Sequence, residues 1–319
     1  MTDGKSNLTR REFLVTTGTV AGATAVGALG IGAACQRLQP VDVKIQTEVP
    51  TSASSTSAPG PRATVVLVRD ASVLKPGRAV DAAVIAKILD DGVAALFGKP
   101  AAEVWPTLFR PDDVVGIKSN VWQFLATPPE LEQALRERVQ GCGIAPDNIA
   151  IDDRGIRSNP VFKRATALIN VRPMRTHHWA GVGSLIKNYI MFSDAPFTWH
   201  VDSCANLAGI WDMPEVKGKT RLNVLVMLTP LFHGKGPHHY HAQYTWEYNG
   251  LLVGTDPVAV DATGVRILEA KRREYFGKDE PLSVSPKHIW VADQKYHLGI
   301  ADPARIDVKK VGLAEGALI

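Results

Sequence analysis

The pattern of apolar and polar positions alternates between short β-branched runs and longer stretches with helical spacing. Residues 64–68 form an apolar run bounded by turn residues, and the spacing over 80–97 predicts a helix that ends at Gly98. Further strand-like or helical stretches lie at 114–117, 130–139, 149–151, 167–171, 185–191, 222–228 and 251–253. Continuous apolar strands separated by helices are typical of an α/β fold with a mostly parallel sheet and helices on both faces.

Another helix is predicted to begin at Asp256 and Pro257. An aspartate at the N-cap followed by proline at the first helical position is a well-founded start signal. The buried face of this helix is marked by apolar residues at Val258, Val265 and Leu268. We therefore expect a single large α/β domain over residues 63–319.

The first 35 residues resemble a twin-arginine signal peptide. Arg10 and Arg11 precede an uncharged stretch over 15–34 that is rich in alanine, glycine, valine and threonine. The alternative is a retained membrane span. Cys35 stands at a position similar to a lipoprotein processing site, and ordinary cleavage before this cysteine is the other option. Residues 36–62 are rich in proline, serine and threonine, which predicts a disordered linker.

Charge and cysteine content exclude some functions. The net charge of the 319-residue chain is +4, and no basic block is long enough to follow a phosphate backbone, so nucleic-acid binding is disfavoured. Beyond Cys35 only Cys142 and Cys204 remain. Two thiols cannot supply the four ligands of an iron–sulfur cluster, although outside the cytoplasm they could form a disulfide.

Polar groups follow several of the predicted strands, where ligands bind in open parallel sheets. Lys118 and Asn120 follow the run 114–117, and could hold an anion or instead belong to a solvated turn. Asp152 and Asp153 follow the run 149–151. This carboxylate pair could bind a metal or work as acid and base, or it could form a capping turn.

Two segments are dense in bases and cations. The first holds Arg172, Arg175, His177, His178, Lys187 and Asn188, and the second holds His233, Gly234, Lys235, Gly236, His238, His239 and His241. The first segment could bind an anion and move protons, or its cations could be surface charge. The second suits a metal or anion loop, or is an exposed histidine-rich loop, and its spacing matches no named zinc motif. His200, with Asp202 and Cys204 nearby, could complete a site.

These residue types lead to an assignment of roles. The catalytic candidates are Lys118, His177, Lys187 and His200. The ligand-binding candidates are Asn120, Arg175, Asn188, Gly234, Lys235 and Gly236. The metal-binding candidates are His178, His233, His238, His239, His241 and Asp153. We expect His177, Lys187 and His233 to line one cleft. No dinucleotide-binding loop, P-loop or nucleophile elbow is present, so nicotinamide, ATP and serine-hydrolase functions are disfavoured.

Several strings in order resemble the DUF362 family. They are 115–120 (VGIKSN), 169–171 with 176–177 (INV and TH), 185–188 (LIKN), 234–237 (GKGP) and 254–261 (GTDPVAVD), of which the last is the most specific. Arg175 stands where the family usually has lysine, and the ferredoxin-like cysteine modules often attached to such domains are missing. The resemblance implies no established reaction. Asp256 is explained by helix capping, and Asp261 by bracing the same helix.

The expected function is an exported, metal- or cofactor-dependent enzyme acting in the periplasm or elsewhere outside the cytoplasm, with redox chemistry as one option. The alternatives are a non-catalytic protein that binds a metal or an anionic ligand, and an accessory subunit of a membrane redox complex. An interaction patch of Trp199, Trp211 and Trp246 would suit the last option, whereas core tryptophans would not. The expected partners are the twin-arginine export machinery, a small-molecule or metal ligand, and a membrane tether through Cys35.

Overall fold

The β-branched runs form the strands of one mixed, mostly parallel sheet in the computed structural model, which describes residues 60–234 and 240–319. The strands are β1 (Ala63–Arg69), β2 (Val115–Lys118), β3 (Ile149–Asp152), β4 (Ala167–His177), β5 (Gly181–Gly183), β6 (Thr220–Leu231), β7 (Gly250–Gly254) and β8 (Ile306–Gly312). Their order is β3-β2-β4-β6-β7-β1-β8, and β5 pairs with β4. Strand β7 is antiparallel to both neighbours, and β5 is antiparallel to β4. The other neighbours pair in parallel.

Helices follow the strands and cover both faces of this sheet. They are α1 (Ala82–Phe97), α2 (Ala101–Leu108), α3 (Pro129–Gly141), α4 (Pro160–Lys163), α5 (Leu185–Asn188), α6 (Pro257–Phe276) and α7 (Lys287–Gln294). The Asp81 carboxylate caps the start of α1, which ends at Gly98 in the left-handed region at φ 69°. Asp256 caps α6 by accepting from the Val258 and Ala259 amides. The helices predicted over 80–97 and from Asp256, and the α/β class, are thus confirmed.

The core consists of two apolar layers, one on each face of the sheet. Successive side chains of a strand point to opposite faces, so Leu67 lies in one layer and Val68 in the other. Helices α1 to α3 pack on the Val68 side, and α4 to α7 on the Leu67 side. Cys142 and Cys204 are buried, free thiols in different layers, so they do not form a disulfide.

Some elements differ from the expectation. Strand β4 continues to His177, so Arg175 and His177 lie on a strand rather than after one. Helices α2 and α7 and strand β8 were not predicted. Of the three tryptophans considered as an interaction patch, Trp211 is buried in the core and the others are half-buried.

The predicted signal peptide and nearly all of the predicted linker lie outside the described residues, as do Lys235, Gly236, His238 and His239. In the described part of the chain, none of the helices has both the length and the apolar character needed to cross a membrane.

Candidate functional site

Polar side chains from four elements meet beyond the carboxyl ends of strands β2 and β3, where the parallel strand β4 continues past them. These strands are parallel neighbours, so their ends lie along one edge of the sheet. A cavity of about 240 Å³ opens there. Its lining residues are Asn120, Trp122, Asp153, Arg154, Arg172, Arg175, Lys187, Asn188, Ile190 and Met191. We call it the arginine cavity.

A buried ion pair forms the floor of this region. The Lys118 side chain is fully buried, and its Nζ lies 2.6 Å from Asp153 Oδ1. Burial lowers the pKa of Lys118 to about 8, although Asp153 opposes the shift. Burial would raise the pKa of Asp153, but Lys118 and the Val121 amide outweigh it, so that pKa falls below its ordinary value. The alternative in which Lys118 belongs to a solvated turn is therefore wrong.

The two neighbouring aspartates have different tasks. Asp152 accepts a hydrogen bond from the Gly155 amide at 2.9 Å and one from Asn159 Nδ2 at 3.1 Å, which makes it a turn residue. Asp153 instead binds Lys118. The capping-turn interpretation therefore applies to Asp152, whereas a metal-binding or acid–base role of Asp153 stays a prediction.

An asparagine network ties the ion pair to helix α5. Asn188 Nδ2 donates to Asn170 Oδ1 at 2.8 Å and to the Lys118 carbonyl at 3.1 Å. Lys118 Nζ in turn lies 3.3 Å from Asn188 Oδ1. Asn170 Nδ2 donates to the Leu185 carbonyl at 3.0 Å. Because these amides are buried and paired, they fix the position of the turn that carries Lys187.

Asp261 on helix α6 holds the start of that turn. Its carboxylate accepts from Ser184 Oγ at 2.6 Å, from the Leu185 amide at 2.8 Å and from the Ile186 amide at 2.9 Å. Burial raises the pKa of Asp261 to about 6 despite these three donors. Asp261 therefore supports the chain segment that places Lys187 in the cavity, which is a larger role than bracing its own helix.

Two arginines on strand β4 are buried with unused donors. Arg172 is 3% exposed and Arg175 is 6% exposed. Arg172 Nη1 donates to the Ser184 carbonyl at 3.2 Å, and the Arg175 guanidinium stacks over Trp122 at 4.2 Å. Within residues 60–234 and 240–319, Arg172 Nε and Arg175 Nε and Nη1 have no hydrogen-bond partner. The surface-charge interpretation of these cations is wrong.

The charges of the arginine cavity are not balanced by its own carboxylates. Burial lowers the pKa of Arg172 to about 10, and burial together with Arg172 lowers the pKa of Arg175 well below its ordinary value. Gly183 on strand β5 leaves room for both guanidinium groups, since a Cβ there would lie 2.9 Å from Arg172 Nη2. Asp153, the carboxylate that lines the cavity, is already paired with Lys118.

Lys187 forms a close pair with His200. Lys187 Nζ lies 2.9 Å from His200 Nε2, and His200 Nδ1 lies 3.2 Å from the Phe197 carbonyl. Since a carbonyl only accepts, Nδ1 carries the proton and the Nε2 lone pair faces Lys187. Burial, with Lys187 adding to it, lowers the pKa of His200. His200 is therefore neutral and works as an acceptor toward the lysine.

His177 is held as a neutral ring. Its Nδ1 accepts from the Trp179 amide at 3.2 Å and from the Ala180 amide at 3.4 Å, which leaves the proton on Nε2. Burial and the nearby Lys187 lower its pKa far below the ordinary value. His178 stacks on His177 with ring centroids 4.7 Å apart. His177 is thus a hydrogen-bond donor rather than a proton-transfer group near neutral pH.

His233 lines a different cavity, of about 370 Å³, together with Gly234 and His241. Its Nδ1 lies 3.1 Å from Arg272 Nη1. A guanidinium only donates, so His233 Nδ1 accepts and Nε2 carries the proton. This cavity shares no lining residue with the arginine cavity, and Lys187 and His233 therefore do not line the same one.

The predicted metal-binding residues are likewise distributed between the two cavities and their surroundings. Asp153 lies in the arginine cavity and His178 lies beside His177, whereas His233 and His241 line the other cavity. In the described segments, no group of three or more histidines, cysteines, aspartates or glutamates is arranged to hold a metal ion. His238 and His239 are outside these segments, so the metal-binding role of this loop remains a prediction.

A comparison with known protein families finds a match that includes the central part of this site. Residues 149–266 match the family described as "Domain of unknown function (DUF362)". This segment is similar to that family. It contains Asp153, the buried Arg172 and Arg175, Lys187 and Asp261, whereas Lys118 lies before it. No curated protein and no solved structure matches the chain.

Three site features were missed from the sequence. Trp122 lines the cavity beneath Arg175, Asn170 joins the asparagine network, and His288 on helix α7 is buried nearby. Burial, with Lys187 and Arg172 contributing, lowers the pKa of His288 to about 3. Asn170 could have been singled out because it belongs to the string "INV", one of those that resemble the DUF362 family. For Trp122 and His288 the sequence offered none.

Proposed function

We propose that the protein binds a small organic anion in the arginine cavity. The observation that carries this proposal is the pair of buried guanidinium groups, Arg172 and Arg175, whose unused N–H groups belong to residues lining the cavity. An unpaired buried charge is costly, and a bound carboxylate or phosphate would satisfy these donors with charge-assisted hydrogen bonds. Lys187 and the exposed Arg154 add further positive charge to the lining of this cavity.

The volume of the cavity limits the ligand. At about 240 Å³ it falls below the range of about 300–1,000 Å³ typical of sites for drug-sized ligands. A ligand of a few carbon atoms that carries one or two anionic groups would fill it. Asn120 Oδ1 is buried without a partner among the described residues, so a hydroxyl or other donor on the ligand would be satisfied there.

The test is a calorimetric titration of the purified protein with acetate, lactate, succinate and phosphate. We expect at least one of them to bind, and we expect Arg175→Met to weaken that binding by about tenfold to a hundredfold, the range for a lost hydrogen bond to a charged group. Arg273→Met, which removes an exposed arginine from helix α6, is the matched control and leaves the affinity unchanged. Equal affinities of the native protein and Arg175→Met would refute the proposal.

A second measurement separates a ligand site from a structural role. Removing a buried, unpaired charge stabilises a protein that has no ligand, so Arg175→Met should raise the midpoint of thermal unfolding of the free protein. The same variant should lose the further stabilisation that the ligand gives to the native protein. A destabilised Arg175→Met variant would indicate that the guanidinium holds the fold together instead.

We also propose that this site works outside the cytoplasm. The paired Arg10 and Arg11 before an uncharged stretch support export by the twin-arginine route, and Cys35 supports a lipid anchor. Replacement of both arginines by lysine is expected to leave the protein in the cytoplasmic fraction. Cys35→Ala is expected to move the exported protein from the membrane fraction to the soluble one, and an unchanged distribution of either variant contradicts the corresponding part.

A further inference from the structure

Lys187 is buried in a way that differs from an ordinary ion-paired lysine. It is 5% exposed, and in residues 60–234 and 240–319 no carboxylate forms an ion pair with it. The charged groups around it are Arg172 and Arg175, which repel an ammonium. A lysine in such surroundings is held partly as a neutral amine, which is the nucleophilic form.

His200 gives this amine a base. The Phe197 carbonyl fixes the proton of His200 on Nδ1, so the Nε2 lone pair faces Lys187 Nζ at 2.9 Å. If Lys187 only bound an anion, its N–H groups would donate hydrogen bonds to the ligand and not to a neighbouring imidazole. A nucleophilic lysine instead needs a group that takes up its proton while the new bond forms.

From this geometry we propose that Lys187 forms an imine with the carbonyl carbon of a small 2-oxo carboxylate whose carboxylate is bound by Arg172 and Arg175. The inference rests on the proposed anion site. In a 2-oxo acid the carbonyl carbon is bonded directly to the carboxylate, so both groups must be met within one small cavity. The two arginines and Lys187 line that one cavity.

The step balances with groups present in the site. The neutral Lys187 amine adds to the carbonyl carbon, and His200 Nε2 takes one proton from the amine and delivers it to the former carbonyl oxygen, which becomes a hydroxyl. The carbinolamine hydroxyl can donate to Asn120 Oδ1, the buried acceptor without a partner in the described chain. His200 Nε2 then takes the second amine proton and delivers it to this hydroxyl, which leaves as water while the carbon–nitrogen double bond forms.

The protonation state of Lys187 supports this step. Burial lowers the pKa of Lys187 to about 8, Arg172 and Arg175 add to the shift, and Cys204 opposes it. At pH 7 roughly one lysine in ten would then be neutral, against fewer than one in a thousand for an exposed lysine. The neutral, acceptor state of His200 described above is the form that the reaction requires.

The experiment is borohydride trapping on the native protein. The protein is incubated with pyruvate or 2-oxoglutarate, reduced with sodium borohydride, and measured by intact-mass spectrometry and peptide mapping. We expect a mass gain equal to the acid less one oxygen atom, located on Lys187. Lys187→Arg keeps the charge but cannot form an imine, so its labelling is lost, whereas the exposed-lysine control Lys217→Arg is labelled like the native protein.

Two further measurements make the outcome decisive. His200→Gln should slow trapping by at least tenfold while the affinity for lactate, which has no ketone, stays within about threefold; equal trapping rates overturn the role of His200. If lactate binds and no label appears on Lys187 of the native protein, the imine is refuted and the anion site stands. If neither lactate nor pyruvate binds, both proposals fail.

Discussion

Asp261→Asn tests whether a residue outside the arginine cavity holds the cavity in shape. The substitution keeps the volume of the side chain but replaces one carboxylate oxygen by an NH₂ group. Asp261 Oδ2 accepts from Ser184 Oγ and from the Ile186 amide. The serine hydroxyl can rotate and accept from the new NH₂ group, but the Ile186 amide proton would meet another donor.

The magnitude follows from these contacts. One buried amide left without an acceptor costs about 1–3 kcal/mol, and the two hydrogen bonds that lose their charged acceptor each weaken by up to about 1 kcal/mol. The sum is about 1–5 kcal/mol, which is a substantial share of the 5–15 kcal/mol that stabilises a typical domain. Asp261→Asn should therefore lower the free energy of unfolding by that amount.

Urea unfolding followed by circular dichroism measures this change. The matched control is Asp307→Asn, which weakens an exposed ion pair with Arg62 and should change stability by less than about 1 kcal/mol. Binding of the anion should also weaken, because the turn that carries Lys187 loses its anchor. A free energy of unfolding equal to that of the control variant would refute the role of Asp261.

Three other predictions concern the same region. Lys118→Met leaves the Asp153 carboxylate buried and unpaired, so urea unfolding should show a loss of about 3–5 kcal/mol; a loss below 1 kcal/mol contradicts it. Gly183→Ala places a Cβ 2.9 Å from Arg172 Nη2, so calorimetry should show at least about tenfold weaker anion binding, with near-native affinity as the contrary result. Lys118 and Lys187 have pKa values near 8 in the folded state, against an ordinary value of 10.5, so the unfolded chain binds more protons between these values. The ligand-free protein should therefore become more stable as the pH rises from about 8 towards 10.5, and the slope should be smaller in Lys187→Met.

Elements with a strong local signal were predicted from the sequence. Asp256 and Pro257 marked the start of α6 because an aspartate side chain caps free amides and proline needs no amide hydrogen bond. The apolar runs marked the central strands, which are buried on both faces. By contrast, β8 is an edge strand in which Lys309 and Lys310 are exposed, so it has no continuous apolar run. Helix α2 was not predicted because it contains Pro106, and proline usually ends a helix.

The sequence by itself thus determined the α/β class, the predicted strands that polar side chains follow, and the types of charged and polar side chain found there. Only the tertiary structure decided which of these groups are buried and which meet. Lys118 and Asp153 are 35 residues apart, and Ser184 and Asp261 are 77 residues apart, so no local pattern links them. The charge of Arg175 looks the same in the sequence whether it faces water or a closed cavity. Its burial beside Arg172 follows from the position of β4 in the middle of the sheet, where the chain on both sides excludes solvent.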